Sequence, residues 1–195
     1  PPYYYKNVSD DGLYAYYANL VEKIGNAALR IYLYHFPQMS LTPLSTTLVR
    51  RLIAGFGPVI AGLKDSSGDF EQSRAFVEAT GGVEKDFDVF PSSEAMLWDG
   101  LAIGTAGIIS GSTNAFGAHT QAALRAPEGG ARDTAMARVR KARAMAGKYP
   151  LVACMKTIEA WSGDDGWLRM TPPLVPLTEP QKVSLRVDWT DLDHA

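Results

Sequence analysis

Ile60-Ala61-Gly62-Leu63-Lys64-Asp65-Ser66-Ser67-Gly68-Asp69 is the stretch on which the reading of this chain turns. Val59 to Leu63 is apolar with two small residues, and it reads as a buried strand. The run then meets Lys64, passes through a Ser/Gly loop and reaches Asp69, which can cap a helix. An amine at the end of a buried strand has two readings. Desolvation disfavours the charged form of such a group, and a neutral amine attacks carbonyl carbon to form a Schiff base. Alternatively the side chain snorkels, its stem covering apolar surface and its head reaching water. The segment alone leaves both readings open.

The same grammar repeats on either side. Ser9-Asp10-Asp11 can cap a helix with Leu13, Tyr17, Leu20 and Ile24 at helical spacing and Gly25 as its stop. Leu29 to Phe36 is rich in aromatic and aliphatic residues and reads as a strand broken by Pro37. Ser45 can cap a helix that turns Leu48, Leu52 and Phe56 to one side and ends near Gly57. After Val59–Leu63, Asp69 opens a helix with Phe70 and Val77 inward. Phe87 to Phe90 is the next strand, and Pro91-Ser92-Ser93-Glu94 leads into a short helix. Gly107-Ile108-Ile109-Ser110 is expected as a fourth strand, with Gly111-Ser112-Thr113-Asn114 as its loop. Strand and helix in alternation imply parallel strands with helices packed outside, as an open doubly wound sheet or a barrel. Strand ends carrying Tyr34, Lys64, Ser92 and Ser110 favour a barrel, whose strand ends converge on one face.

Beyond Pro127-Glu128-Gly129-Gly130 the pattern becomes helical. Asp133 to Ala146 reads as a helix with Met136 and Val139 inward and Arg138, Arg140, Lys141 and Arg143 on a solvated face. Leu151, Cys154, Met155 and Ile158 mark another helical stripe. Pro172 to Leu177 is an extended docking segment, Thr178 to Leu185 a final helix, and Asp188 to Ala195 an acidic, frayed tail. The expected division is residues 1–126 as barrel and 127–195 as helical extension.

Composition narrows the function. A net charge of −2 over 195 residues offers no field for nucleic acid or an anionic membrane. No apolar run approaches the ~20 residues of a membrane span. His35, His119 and His194 are too far apart to suggest a metal site, and Cys154 is the sole cysteine, which fits a reducing, cytoplasmic compartment. Lys64 and Tyr34, at the ends of adjacent strands about 5 Å apart, supply what Schiff-base chemistry needs: an amine, and a phenol to relay protons.

With these pieces in order, the chain resembles the pyruvate-dependent class I aldolases, the family of dihydrodipicolinate synthase and N-acetylneuraminate lyase. The matching segments are Pro2-Tyr3-Tyr4, Tyr34-His35-Phe36-Pro37, Gly62 to Asp69, Gly107 to Ser110 with Asn114, and Pro172 to Leu177. The resemblance implies a (β/α)8 TIM barrel with C-terminal helices, assembled as a homo-oligomer, a dimer or tetramer. It implies that Lys64 forms an imine with pyruvate or another 2-oxo acid, and that Tyr34 relays protons without metal or cofactor. Tyr4 matches a tyrosine that reaches across a dimer in the synthases, or is plain interface packing. Ser66, Ser92 and the backbone at Ile109 match positions lining the substrate. Glu94 matches a hydroxyl-contacting acid or is a helix-start carboxylate.

Two departures shape the expectation. In the synthases the strand-end tyrosine is followed by Asn, and an arginine five residues beyond it clamps a carboxylate; His35 and Met39 stand there in this chain. Loss of the guanidinium removes a bidentate clamp, which argues against dihydrodipicolinate synthesis itself and for a less acidic distal group. His35 is then a hydroxyl ligand, a second acid–base, or a structural histidine. The family's Gly-Thr-Thr-Gly-type loop is also absent from these residues. The expectation is a piece of a longer chain, carrying the last four strand–helix units plus the terminal helices and inactive by itself. The function expected of the whole is a Schiff-base lyase (aldolase) on a 2-oxo acid. Dehydration of a 2-oxo-3-deoxy sugar acid through the same imine, or non-catalytic binding of a 2-oxo acid, are the alternatives.

Overall fold

The computed structural model of the protein describes residues 1–193; His194 and Ala195, the end of the expected acidic tail, lie outside the described residues. The chain packs as two units, Pro1–Ile109 and Ser110–Ala195. In the first unit α1 (Asp10–Ile24), β1 (Ile31–His35), α2 (Pro37–Ser40), α3 (Thr46–Phe56), β2 (Ile60–Asp65), α4 (Phe70–Thr80), β3 (Asp88–Pro91) and α5 (Leu97–Ala102) follow one another. The second holds α6 (Thr113–Arg125), α7 (Gly130–Ala146), α8 (Leu151–Ala160) and α9 (Glu179–Asp193).

The helices begin where side chains can satisfy the free N–H groups of a first turn. Ser9 accepts from the Gly12 N–H, Ser45 from Leu48 and Asp69 from Glu71. Gly25 ends α1 in the left-handed region, at φ 58°, where a Cβ is disfavoured.

The three strands form one parallel sheet in the order β1-β2-β3. Its register sorts the side chains. Leu33, Leu63 and Val89 stand level and are buried, whereas Tyr34, Lys64 and Phe90 stand level one residue on and are not. Successive strand residues point to opposite faces, so the sheet has one covered face and one open face. On the covered side Leu33, Leu63 and Val89 pack with Leu13 and Tyr17 of α1, Leu48, Val49 and Leu52 of α3, and Phe76 and Val77 of α4.

The structure departs from the sequence expectations in five places. Tyr3 and Tyr4, whose place before the first helix implied the end of a preceding strand, are exposed, and residues 1–9 form no strand. Leu20 and Ile24, expected inward on α1, are exposed, because the helix outruns the part of the core beneath it. The fourth strand is not regular. Ala106 donates to the Val89 carbonyl and Ile109 to the Pro91 carbonyl, each at 3.0 Å. The donors are three residues apart and the acceptors two, and between the donors Gly107 sits at φ 144°. The extra residue breaks the ladder, as a bulge does. A short helix, α2, begins at Pro37, whose fixed φ suits a first helical turn. The end of the chain is helical through Asp193 rather than frayed from Asp188.

In the second unit Met136 and Val139 are buried on α7, as are Cys154, Met155 and Ile158 on α8. Phe116 lies near-parallel to Trp189 at 5.8 Å, and Leu177 and Leu185 join the same core. Leu177 is how the extended segment docks. Arg138, Arg140 and Lys141 face solvent, while Arg143 donates to the Ser112 hydroxyl at 2.8 Å.

Candidate active site

Strand register sets the site. Tyr34 of β1 is the Cα partner of Lys64 in β2, which is in turn the partner of Phe90 in β3. All three lie on the open face. Lys64 donates to the Tyr34 oxygen at 3.0 Å and to the Ser66 hydroxyl at 2.9 Å, and the Ser66 hydroxyl donates to the Tyr34 oxygen at 3.3 Å. The ammonium nitrogen is 4.3 Å from the centroid of the Tyr34 ring. Lys64, the sequence's strand-end cation, therefore lies within the strand, and its head is held by two oxygens rather than extended into water.

The loop that carries Ser66 is pinned from below. The Ser66 N–H donates to the His35 carbonyl at 2.7 Å, tying the exit of β2 to that of β1. Asp65 faces the other way and is buried. Its carboxylate accepts from the Ser67 N–H at 2.9 Å and from the Ser73 hydroxyl of α4 at 2.6 Å. Hydrogen bonds to an ionised acceptor are the stronger kind, so Asp65 fixes the turn that presents Ser66 to Tyr34. Sequence reasoning passed over Asp65; the signal was there, since a residue adjacent to Lys64 in a strand must face the helices.

Electrostatics follow from this triangle. Burial raises the Tyr34 phenol, but the hydrogen bonds from Ser66 and Lys64 and the lysine's charge together outweigh it and leave Tyr34 below its ordinary 10.0. Cys154 is buried, which pushes its thiol up to about 11 and leaves little thiolate for nucleophilic chemistry. Among the described residues no group of histidine, cysteine or carboxylate is placed to hold a metal ion, and no helix is long and apolar enough to cross a membrane.

The other expected site residues lie outside this triangle. His35 follows Tyr34 in β1 and so points to the covered face. It is 4 % exposed, its Nδ1 accepts from the Leu44 N–H at 3.1 Å, and its ring meets Phe76 edge-on. It is not brought to Lys64; burial, partly opposed by Asp65, holds its pKa below the ordinary 6.5. Ser92 is half-buried just beyond β3, and Glu94 is fully buried at the start of the short turn before α5. Ile109 is exposed with its N–H on Pro91. Tyr4 is exposed, edge-on to Tyr5 at 5.3 Å. Met39 is exposed on α2.

A feature absent from the sequence reading lies one layer below the lysine. Tyr32 donates to the Asp88 carboxylate at 2.6 Å, reaching from β1 over β2 to β3. It can cross because the intervening level of β2 is Gly62. A Cβ there would lie 2.5 Å from the Tyr32 ring and 2.5 Å from the Asp88 carbonyl. Phe90 tilts against Tyr32 at 6.1 Å. A cavity of about 590 Å³ lined by Thr47, Arg50, Arg51, Ile53, Ala54, Ala79 and Thr80 lies between α3 and α4 on the helix side of the sheet, away from Lys64.

The chain is similar to known proteins over nearly its whole length. The model of the dihydrodipicolinate synthetase family matches residues 1–191. An uncharacterized DapA-like lyase of Chloroflexus aurantiacus is 30% identical over 190 residues, 97% of this chain and 62% of the relative. A 4-hydroxy-tetrahydrodipicolinate synthase of Halalkalibacterium halodurans is 29% identical over 94% of this chain and 61% of its own length. The dihydrodipicolinate synthase of Agrobacterium tumefaciens superposes with a TM-score of 0.83 at 30% identity, over 98% of this chain and 64% of that one. YagE, an E. coli prophage protein of the dihydrodipicolinic acid synthase family solved with pyruvate, gives 0.83 at 25% identity, over 100% and 65%. The chain thus spans less than two thirds of the length of these relatives.

Proposed function

The chain belongs to the dihydrodipicolinate synthetase family, whose structures are TIM barrels, and we propose that it carries the reacting lysine of a lyase that forms or cleaves a carbon–carbon bond next to a 2-oxo acid. The observation that supports this most is the closed contact of Lys64 with Tyr34 and Ser66 on the open sheet face. The neutral Lys64 amine adds to the oxo carbon, forming a C–N bond. Tyr34 then gives its proton to the resulting hydroxyl, which leaves as water; the iminium remains on the lysine and the phenolate on tyrosine. The Tyr34 phenolate then takes a proton from the adjacent carbon as that C–H electron pair flows to the iminium, and the enamine so formed attacks an aldehyde; in reverse, the C–C electron pair flows to the iminium and leaves the same enamine.

Residues 1–126 supply the last four units of the barrel and 127–195 the helical extension. The enzyme is a cytoplasmic homo-oligomer, a dimer or tetramer, and Tyr4, exposed on a segment without regular structure, reaches a partner's site across the interface. Ser66, Ser92, Glu94 and the Ile109 backbone line the substrate. His35 is left with a structural role, since its Nδ1 is engaged by Leu44. Pyruvate stands first among 2-oxo acids because YagE was solved with it.

Borohydride reduction of the full-length protein in the presence of pyruvate tests the reading, and the trapping experiments below use the same full-length chain. The expected product is a covalent adduct on Lys64 with the mass of pyruvate less water plus two hydrogens, found by peptide mapping. Adduct elsewhere, or none at saturating pyruvate, overturns it.

A further inference from the structure

We infer that Ser66 is a positioning residue for the proton relay: its hydroxyl is the second donor on the Tyr34 oxygen and directs the phenolic proton toward the substrate. The inference rests on the imine reading but concerns a different group and is measurable without turnover.

The geometry is a closed triangle in which each member has one direction open to it. Lys64, as an ammonium, only donates, and it donates to both oxygens, at 2.9 and 3.0 Å. Ser66 therefore accepts from the lysine, and its own O–H is free to point at Tyr34, 3.3 Å away. Tyr34 accepts from both neighbours. Its proton then has no acceptor inside the triangle and points out over the open face, where a carbinolamine on Lys64 would stand. Two donors on one phenol oxygen favour the phenolate, in agreement with the direction of the Tyr34 shift.

The role becomes distinct when the imine forms. The free amine can offer the Tyr34 oxygen a hydrogen throughout; the iminium nitrogen keeps only one N–H. When Tyr34 has passed its proton to the leaving hydroxyl, the phenolate is left with Ser66 as a donor that does not depend on the state of the lysine. The loop is built to keep it there, through Ser66 N–H on the His35 carbonyl and the buried Asp65 on Ser67 and Ser73.

Ser66→Ala and Ser66→Thr, with Tyr34→Phe as the reference, separate this role from simple substrate contact. Alkaline titration of tyrosinate absorbance, taken as the difference from Tyr34→Phe, should move upward in Ser66→Ala and return in Ser66→Thr. In the presence of pyruvate the trapping rate of Ser66→Ala should fall about five- to tenfold, the scale of one ordinary hydrogen bond. The pyruvate concentration for half-maximal trapping, which reports the substrate contact of Ser66, should change by a smaller factor than the rate. An unmoved Tyr34 titration in a folded Ser66→Ala protein overturns the proposal, as does a loss confined to half-saturation. If wild-type protein traps no pyruvate, the imine reading fails, while the absorbance titration still decides the role of Ser66.

Discussion

The two faces of the three-stranded sheet are built from alternate residues of the same strands, and they share little else. On the covered face Leu33, Leu63 and Val89 are nearly inaccessible, packed under α1, α3 and α4, and even the polar residues there, His35 and Asp65, have their hydrogen bonds met inside. On the open face Tyr32 with Asp88 and Tyr34 with Lys64 keep polar atoms together at partial exposure, with Phe90 beside them. A face that must exclude water cannot present an amine to a substrate, because burial of a charge without full compensation is costly. The period of two lets one short strand do both: one side packs into the core, and the other carries the side chains of the proposed site.

That contrast can be broken at single positions. The largest expected effect is on the open face: Lys64→Ala should abolish pyruvate trapping altogether while shifting stability by less than about 1 kcal/mol, since the lysine is only partly buried. A large loss of thermal stability in that variant would mean that the open face also holds the fold. On the covered face Phe76→Ala should cost about 3–5 kcal/mol in denaturant unfolding, because the ring is wholly buried and contacts His35. Trapping per folded molecule should be unchanged.

Gly62→Ala sits between the two. The new methyl must displace the Tyr32 ring and also press on the Asp88 carbonyl, which is backbone and yields less. A loss of about 1–3 kcal/mol is expected, with a perturbed Tyr32–Asp88 contact visible in a difference titration of tyrosine. Stability equal to wild type would show that β2 and β3 can separate at this level.

The smallest effect concerns pH. His35 has its pKa lowered in the folded state, so the unfolded chain binds the proton more readily over the interval below 6.5. Stability from this group is therefore complete above about pH 6.5 and is lost as pH falls toward the folded value, no more steeply than about 1.4 kcal/mol per pH unit for one proton. His35→Asn, which keeps an acceptor for the Leu44 N–H, should flatten that part of the stability profile. An unchanged slope between pH 5 and 6.5 would remove His35 as the cause.

Much of this could be seen before any coordinates. Ser9, Ser45 and Asp69 cap the helices expected of them because the signal is a local hydrogen bond, written within three residues. The pairing of Tyr34 with Lys64 needed only two strands of the right length lying side by side. The same alternation already put His35 and Asp65 on the other face, a consequence the sequence reading left undrawn for both residues. Gly107–Ser110 looked like a strand because it is apolar and β-branched; one residue of excess against β3 undid the ladder, and propensity does not carry register.

By itself, then, the amino-acid order determined most of the alternation of strand and helix, through spacing within short segments, and the family, through the order of several such segments along the chain. Only the tertiary structure decided that Ser66 closes a triangle with Tyr34 and Lys64, that Asp65 holds the turn, and that Tyr32 crosses Gly62 to Asp88. These contacts join different strands, or a strand to a helix. Their partners are set by inter-strand register and loop exit angle, quantities that no single segment encodes.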